Sequence, residues 1–341
     1  MHAYRVSLGP AAVLVESQWK LERWADWWEP YGGIAPADGD DPADTADTAC
    51  RFLVGTDVGT SDELGDDAEP LALHGGAVGI RTSGNNGVVV ANIGRAALYH
   101  VGHDGVLALN YPDDADYWEL DAFQIVRGLV MVLAERTGRR RLSGAALERE
   151  GTGLLLLGAG VAVTGRFLLP LLRSGAYGLV GNERLHVDDS GAVHGLPVAT
   201  VASADLLPEV PQDDPAVRVA DGSLVVWPGR LAAAFGVSVV PRMPLGAVVV
   251  CAPDESRADL DLSPLPAEDR PVVDGSAAPS GAASDGLVPQ WLLSELGIPP
   301  PPPGGASVGS AGTALANVPW YRLTGDPTSP LLPDAIGELL S

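Results

Sequence analysis

A chain of 341 residues, 46% hydrophobic with a mean hydropathy of +0.14, carries enough apolar content for one large or two ordinary folded domains. Forty-four acidic against 21 basic residues give a formal charge of −23, which disfavours nucleic acid and anionic membranes as partners. Lys20 is the only lysine, an arginine-for-lysine usage typical of a high-GC, actinobacterial type of genome.

In chain order, residues 3–15 predict a strand, and Trp24, Trp27 and Trp28 at i, i+3 and i+4 put an aromatic stripe on a short helix. Such a stripe reads as core or interface rather than a ligand box. The N-terminus has no continuous apolar stretch and no cleavage signature, so a cytoplasmic protein is expected. Residues 35–50 and 57–70, rich in Asp, Ala and Gly, read as exposed loops. From Ala77 to Leu109, short β-type runs separated by Gly-Asn-Asn-Gly and Gly-His-Asp-Gly turns predict an antiparallel meander. Asp113, Asp114 and Asp116 then precede an amphipathic helix over 116–137, where they suit N-terminal capping better than metal binding.

Beyond Gly138 the pattern changes. Leu142–Leu147 reads as one strand of a hairpin whose second strand is Gly153–Leu157. The apolar run at 153–163 is only about half the ~20 residues that cross a bilayer. Leu154 to Arg166 has the layout of a buried strand, a glycine-bearing turn and a helix start, where backbone N–H groups can cradle an anion. The helix continues to 173, and Arg184–Val187 and Ala192–Gly195 read as a hairpin closed by Asp188-Asp189-Ser190-Gly191. Residues 210–226 continue in β-like pieces, Gly229–Phe235 predicts a helical turn, and Leu245–Cys251 a buried strand. Residues 253–285 predict a long Pro/Ala/Ser/Asp-rich loop, 286–297 a helix, Pro299–Pro303 a polyproline spacer, and Val318–Leu323 a strand before a C-terminal helix. Cys50 and Cys251 have no metal-ligand or disulfide-framework spacing, and no metal site is expected.

Leu142-Ser-Gly-Ala-Ala-Leu147, Gly151-Thr-Gly-Leu-Leu-Leu-Leu-Gly158 and Gly178-Leu-Val-Gly-Asn-Glu183 together resemble the catalytic core of the HPr kinase/phosphorylase-like family, with further likeness at Gly191–Pro197 and Pro319–Leu323. The resemblance implies an α/β fold in which an HPr-kinase-like P-loop core, 116–252, follows a mostly antiparallel β-rich region, 1–115. Residues 253–285 would be a flexible loop, and 286–341 would complete the core with a strand and helix.

The same resemblance implies a degenerate site. Thr164 falls where the family has the phosphate-binding lysine, Gly165 where a hydroxyl holds magnesium, Gly181 and Asn182 where an Asp pair supplies the base, and Ser143 where histidine is usual. Without these groups, ordinary phosphoryl transfer loses its recognised sources of stabilisation. The reading is therefore a non-canonical member or pseudokinase in a bacterial biosynthetic pathway, binding a partner protein, a peptide or a small anionic metabolite. Gly158, Gly160, Thr164, Gly165 and Arg166 form the candidate anion-binding loop. Glu183, His186 and Asp188 are the candidate catalytic residues, and His186 and His194 could meet across the hairpin. No cofactor is assigned. Two alternatives stay open: a divergent ATP-dependent phosphotransferase or other enzyme in the same pocket, and an NAD-linked oxidoreductase. The latter uses Gly158-Ala-Gly160 as part of a dinucleotide fingerprint with Glu183 on a ribose, although Val163 stands at the third glycine position.

Overall fold

The computed structural model describes residues 1–37, 51–56, 69–72, 78–84, 87–92, 97–112, 117–158, 161–211, 218–220, 223–254, 256, 259–271, 290–296, 298 and 315–340. Asp113, Asp114 and Asp116, the polyproline run, Gly160, Cys50 and most of the loops expected at 35–50, 57–70 and 253–285 lie outside the described residues. The chain divides into two compact units.

The first unit comprises Met1–Trp28, Gly32–Thr137 and Ser280–Pro301. It begins with β1 (His2–Leu8) and β2 (Ala11–Ser17), an antiparallel pair with Leu8 opposite Ala11. The one strand expected over 3–15 is thus a hairpin, broken at Gly9-Pro10. Gly9 sits at φ 60°, and Pro10 has no N–H to give a ladder. Helix α1 (Glu22–Trp28) buries Trp24 and Trp28 completely. Both, with Trp27, meet the ring of Phe123 edge-on at 5.0–5.7 Å, so the aromatic stripe is core.

β3 (Gly33–Pro36) and β4 (Arg51–Gly55) flank the first hairpin. β5 (Glu69–Ala72) begins inside the segment expected as loop to residue 70, and the meander expected over 77–109 follows as β6 (Val78–Gly84), β7 (Gly87–Asn92), β8 (Ala97–Gly102) and β9 (Val106–Asn110). These form one nine-stranded sheet, β3-β1-β2-β4-β9-β8-β7-β6-β5, in which the meander is antiparallel while β2–β4 and β4–β9 are parallel. Helix α2 (Trp118–Arg136) packs against β1 and β2 and belongs to this unit. The unit boundary therefore falls at Thr137/Gly138, not at residue 115. Asp121 on α2 is buried and accepts hydrogen bonds from the hydroxyls of Tyr99 and Tyr111, both at 2.8 Å.

The second unit comprises Glu29–Tyr31, Gly138–Pro279 and Pro302–Ser341. Its strands open with β10 (Arg140–Ser143), β11 (Ala145–Arg149) and β12 (Thr152–Leu157). The strand expected at 142–147 is split at Gly144, where a Cβ would lie 2.6 Å from the Leu156 carbonyl oxygen. Only glycine lets the chain cross there, so β10 leaves to pair with β14 (Arg184–Val187) while β11 pairs with β12.

Helix α3 (Val161–Arg173) follows β12, and β13 (Gly178–Gly181) pairs with β11. The expected hairpin joins β14 to β15 (Ala192–Gly195). β16 (Thr200–Ser203), β17 (Arg218–Ala220) and β18 (Ser223–Val226) make a small antiparallel sheet. It is followed by α4 (Pro228–Phe235), which ends on Gly236 in the left-handed conformation.

The long strand β19 (Arg242–Pro253) organises the unit. It pairs antiparallel with β15 through Arg242–Pro244 and parallel with β12 through Leu245–Val250. Through Val248–Pro253 it pairs parallel with β21 (Trp320–Gly325). β20 (Asp261–Pro264) adds to β21. The described residues also include the short helices α5 (Gln290–Glu295), in the first unit, and α6 (Leu332–Gly337), in the second.

Alternation along β12 explains its uninterrupted leucines. Leu154 and Leu156 face one core with Val249, Cys251 and the inner side of α3, while Leu155 and Leu157 face a second core with Val180, Val187 and Val248. A strand covered on both faces has no polar side to show. After residue 184 the described chain continues mainly through hairpins, not the repeated strand–helix units of a dinucleotide-binding fold.

Candidate functional site

The residues singled out from the sequence fall at two opposite ends of the second unit's sheet. β12, β19 and β21 run parallel; β12 ends at Leu157 beside Val250, and β19 and β21 continue to Pro253 and Gly325, with the Asp254 N–H donating to the Gly325 carbonyl at 3.0 Å. Gly158 lies at this carboxyl end. Gly165 and Arg166 sit in the first turns of α3, Arg166 exposed and Gly165 with nothing within 4 Å of a notional Cβ. Thr164 is helical, and Gly160 is outside the described residues.

Glu183 stands beside Gly144, whose N–H its carbonyl accepts at 3.2 Å, and its backbone is left-handed at φ 66°. Gly181 and Asn182, where the sequence resemblance implied an acidic pair, are packed into the fold. A Cβ on Gly181 would stand 2.7 Å from Leu185, and Asn182 is buried and donates to the Thr200 hydroxyl at 3.1 Å. The acids at the carboxyl end are held by their own turns. Asp326 accepts from the Thr328 N–H and hydroxyl at 2.8 Å, and Asp254 accepts from the Ser256 N–H and hydroxyl. Those Thr328 hydrogen bonds, aided by Arg166, hold the Asp326 carboxyl below its usual range.

His186 and Asp188 lie at the other end of β14. Pairing register places Arg141, His186, His194 and Arg242 directly across β10, β14, β15 and β19, one row on one face. His186 is fully buried. Asp188 ties two of the row, His194 and Arg242, together. It accepts from the Ser190 N–H at 2.9 Å and hydroxyl at 2.5 Å, the Ala192 N–H at 3.1 Å, His194 Nε2 at 2.8 Å and Arg242 Nη2 at 3.2 Å.

Burial works to raise the Asp188 pKa, but the hydrogen bonds from Ser190, His194, Ala192 and Arg242 together outweigh it and hold the carboxyl well below the usual range. His194 is driven the opposite way from most histidines beside a carboxylate. Its own burial, aided by the charges of Arg139 and Arg242, exceeds the pull of Asp188 and lowers its pKa. Burial likewise lowers that of Arg139, against the attraction of Asp188. Arg140 pairs with Asp189 at 3.0 Å.

Beside this cluster lies a cleft of about 660 Å³, within the size range of small-molecule sites. Three segments line it: Arg242–Leu245 at the start of β19, Asp189–Ala192 in the β14–β15 turn, and Asn317 and Val318 ahead of β21. Arg242 has a 57% exposed side chain, and both hydrogen bonds it makes among the described residues, to Asp188 and to the Ser190 hydroxyl, use Nη2. Its Nε and Nη1 donors are thereby available to a ligand on a guanidinium already fixed in place.

The sequence singled out His186 and Asp188 but not Arg139, Ser190 or Arg242, and it named His194 only as a cross-hairpin neighbour. The run Arg139–Arg141 was the available signal; Arg242 carries none, since it reaches Asp188 from 54 residues away. Among the described residues no group of three or more His, Cys, Asp or Glu side chains is arranged to hold a metal ion, and no helix is long and apolar enough to cross a membrane.

No family model and no curated protein matches the chain. Fifty-three chains of solved structures do, among them the Hpr(Ser) kinase/phosphatase from Coxiella burnetii, at 11% identity over 59% of this chain and 93% of that one, with a TM-score of 0.27. Such a superposition is a weak structural likeness only. Among the described residues the fold is mixed α/β, with two nine-stranded sheets, a three-stranded one and few helices. The P-loop core expected from the sequence is not confirmed.

Proposed function

We propose that this chain is a binding protein for a small anionic ligand, held in the Arg242 cleft, and that it is not an ordinary phosphotransferase. The observation that carries the reading is Arg242 itself: a guanidinium anchored by Asp188 and Ser190 on one nitrogen, with its other donors uncommitted at the rim of a metabolite-sized cleft. Arg139 adds positive potential close by, since its charge acts on His194. In a protein of net charge −23 such a local concentration of cations is a selective feature.

The absence of kinase chemistry rests on the resemblance read from the sequence. Thr164, Gly165, Gly181 and Asn182 stand where lysine, a metal-holding hydroxyl and an acidic pair would be needed.

Titration of the purified protein with inorganic phosphate and with small mono- and dicarboxylates tests the reading. Saturable binding lost in Arg242→Ala and kept in Arg166→Ala is expected. Magnesium-dependent ATP turnover abolished by changing Arg166 or Glu183 would replace it with a divergent phosphotransferase at the opposite end of the sheet.

A further inference from the structure

Resting on that reading of the cleft, we propose that its ligand is an amphipathic acid: a carboxylate or phosphate head forked by Arg242, and an apolar body laid along Pro244, Leu245 and Val318. The cleft is divided chemically. The side chains of Pro244, Leu245 and Val318 are exposed or half-buried and leave apolar surface in it, while Met243 beside them is buried into the core against Gly153. A fully hydrated anion such as inorganic phosphate gains nothing from such surface. A short alkyl or aryl chain does, because each buried methylene strengthens binding roughly threefold to fourfold.

The head-group end is preorganised. Asp188 is fixed by the backbone N–H groups of Ser190 and Ala192 and by His194, so the guanidinium it holds has little freedom to lose when an anion arrives. The carboxylate of Asp188 spends its own charge on Arg242 and His194, and Asp189 is engaged by Arg140. Both acids nearest the guanidinium are therefore neutralised in part by cations already in place. Exposed Asn317, on the β21 side, is a neutral polar contact suited to a hydroxyl or amide on the body of the ligand.

The inference is tested by chemical-shift or calorimetric titration of the full chain with acetate, hexanoate, hexyl phosphate and hexanamide. Hexanoate or hexyl phosphate should bind about tenfold or more tightly than acetate, and whichever of the two is tighter identifies the head group. Hexanamide, which keeps the chain and drops the charge, should bind about tenfold or more weakly than hexanoate. Arg242→Gln should reduce hexanoate binding about tenfold or more, and Val318→Asp should do the same while the far-ultraviolet circular dichroism stays that of the parent. Arg166→Gln should change nothing.

Acetate or inorganic phosphate binding as tightly as hexanoate, with dependence on Arg242, would overturn the amphipathic class while leaving an anion site. Hexanamide matching hexanoate would overturn the role of the charged head. No Arg242-dependent binding of any of these anions would overturn both the inference and the proposed function beneath it.

Discussion

The two ends of β19 make the instructive comparison. At about 3.3 Å per residue, Arg242 and Pro253 stand roughly 35 Å apart on one strand. At the carboxyl end lie Gly158, the first turns of α3, Arg166 and Asp326. Polar groups there are satisfied locally, Asp326 by Thr328 and Asp254 by Ser256, each two residues away. At the amino end, Asp188 is joined by His194 across a hairpin and by Arg242 from a distant strand. Among the described residues, the acids at the carboxyl end are held within their own turns, whereas the amino end joins arginines, a histidine and a carboxylate in one cluster beside a cleft. A glycine turn locates a change of direction; only side chains converging on one place supply chemistry.

Four measurements would break or sharpen that contrast. The largest effect should come from Leu156→Ala, which empties fully buried space in the core beneath α3, at a cost of about 2–5 kcal/mol by chemical denaturation. It should weaken both ends alike, because β12 and β19 are shared. Asp188→Ala should cost about 1–3 kcal/mol, since it strands donors from Ser190, Ala192, His194 and Arg242. Arg166→Ala, at an exposed position of the opposite end, should fall within about 0.5 kcal/mol of the parent. A large loss there would show that the carboxyl end carries structural weight the contrast denies it.

The dependence on pH should be smaller than the loss of Leu156 but spread over two steps. His194 has a folded pKa below its ordinary value of 6.5, so as pH falls below about 6.5 the unfolded chain takes up a proton that the folded chain refuses, and stability declines. Asp188 has a folded pKa below its ordinary 3.8, so its contribution is present above that value and is lost as pH falls through it. Denaturation midpoints measured against pH should show both steps, and His194→Gln should remove the upper one. A midpoint that rises on acidification from pH 7 to 5 would contradict the account of His194.

Much of the fold can be followed from particular residues. The leucines at 154–157 announce a strand buried on both faces, Asp188–Gly191 a hairpin turn, and Gly138 the end of a long helix. The tryptophans at 24, 27 and 28 mark a core stripe. Two expected strands differ from the structure for the same local reason: a glycine within a β-type run changes the chain's direction. Gly9 makes a hairpin of 2–17, and Gly144 sends 140–143 and 145–149 to different partners. A period-2 pattern reads side-chain faces and not the direction of the backbone, so neither change of partner shows in it.

The cleft was less legible than the strands around it. Asp188 and His186 stood out as polar residues in a hairpin, but Arg242 is an ordinary arginine before Met-Pro, and nothing local connects it to residue 188. The sequence by itself determined which segments alternate, which are buried on both sides, and where most of the hairpins close. Those properties depend on neighbours within a few residues, where backbone geometry and side-chain period act directly. Only the tertiary structure decided that β14, β15 and β19 lie side by side in a register that sets His186, His194 and Arg242 in one row and brings Asp188 onto His194 and Arg242. Strand pairing is a long-range choice made by burying both faces of the sheet at once, and no window of the sequence contains it.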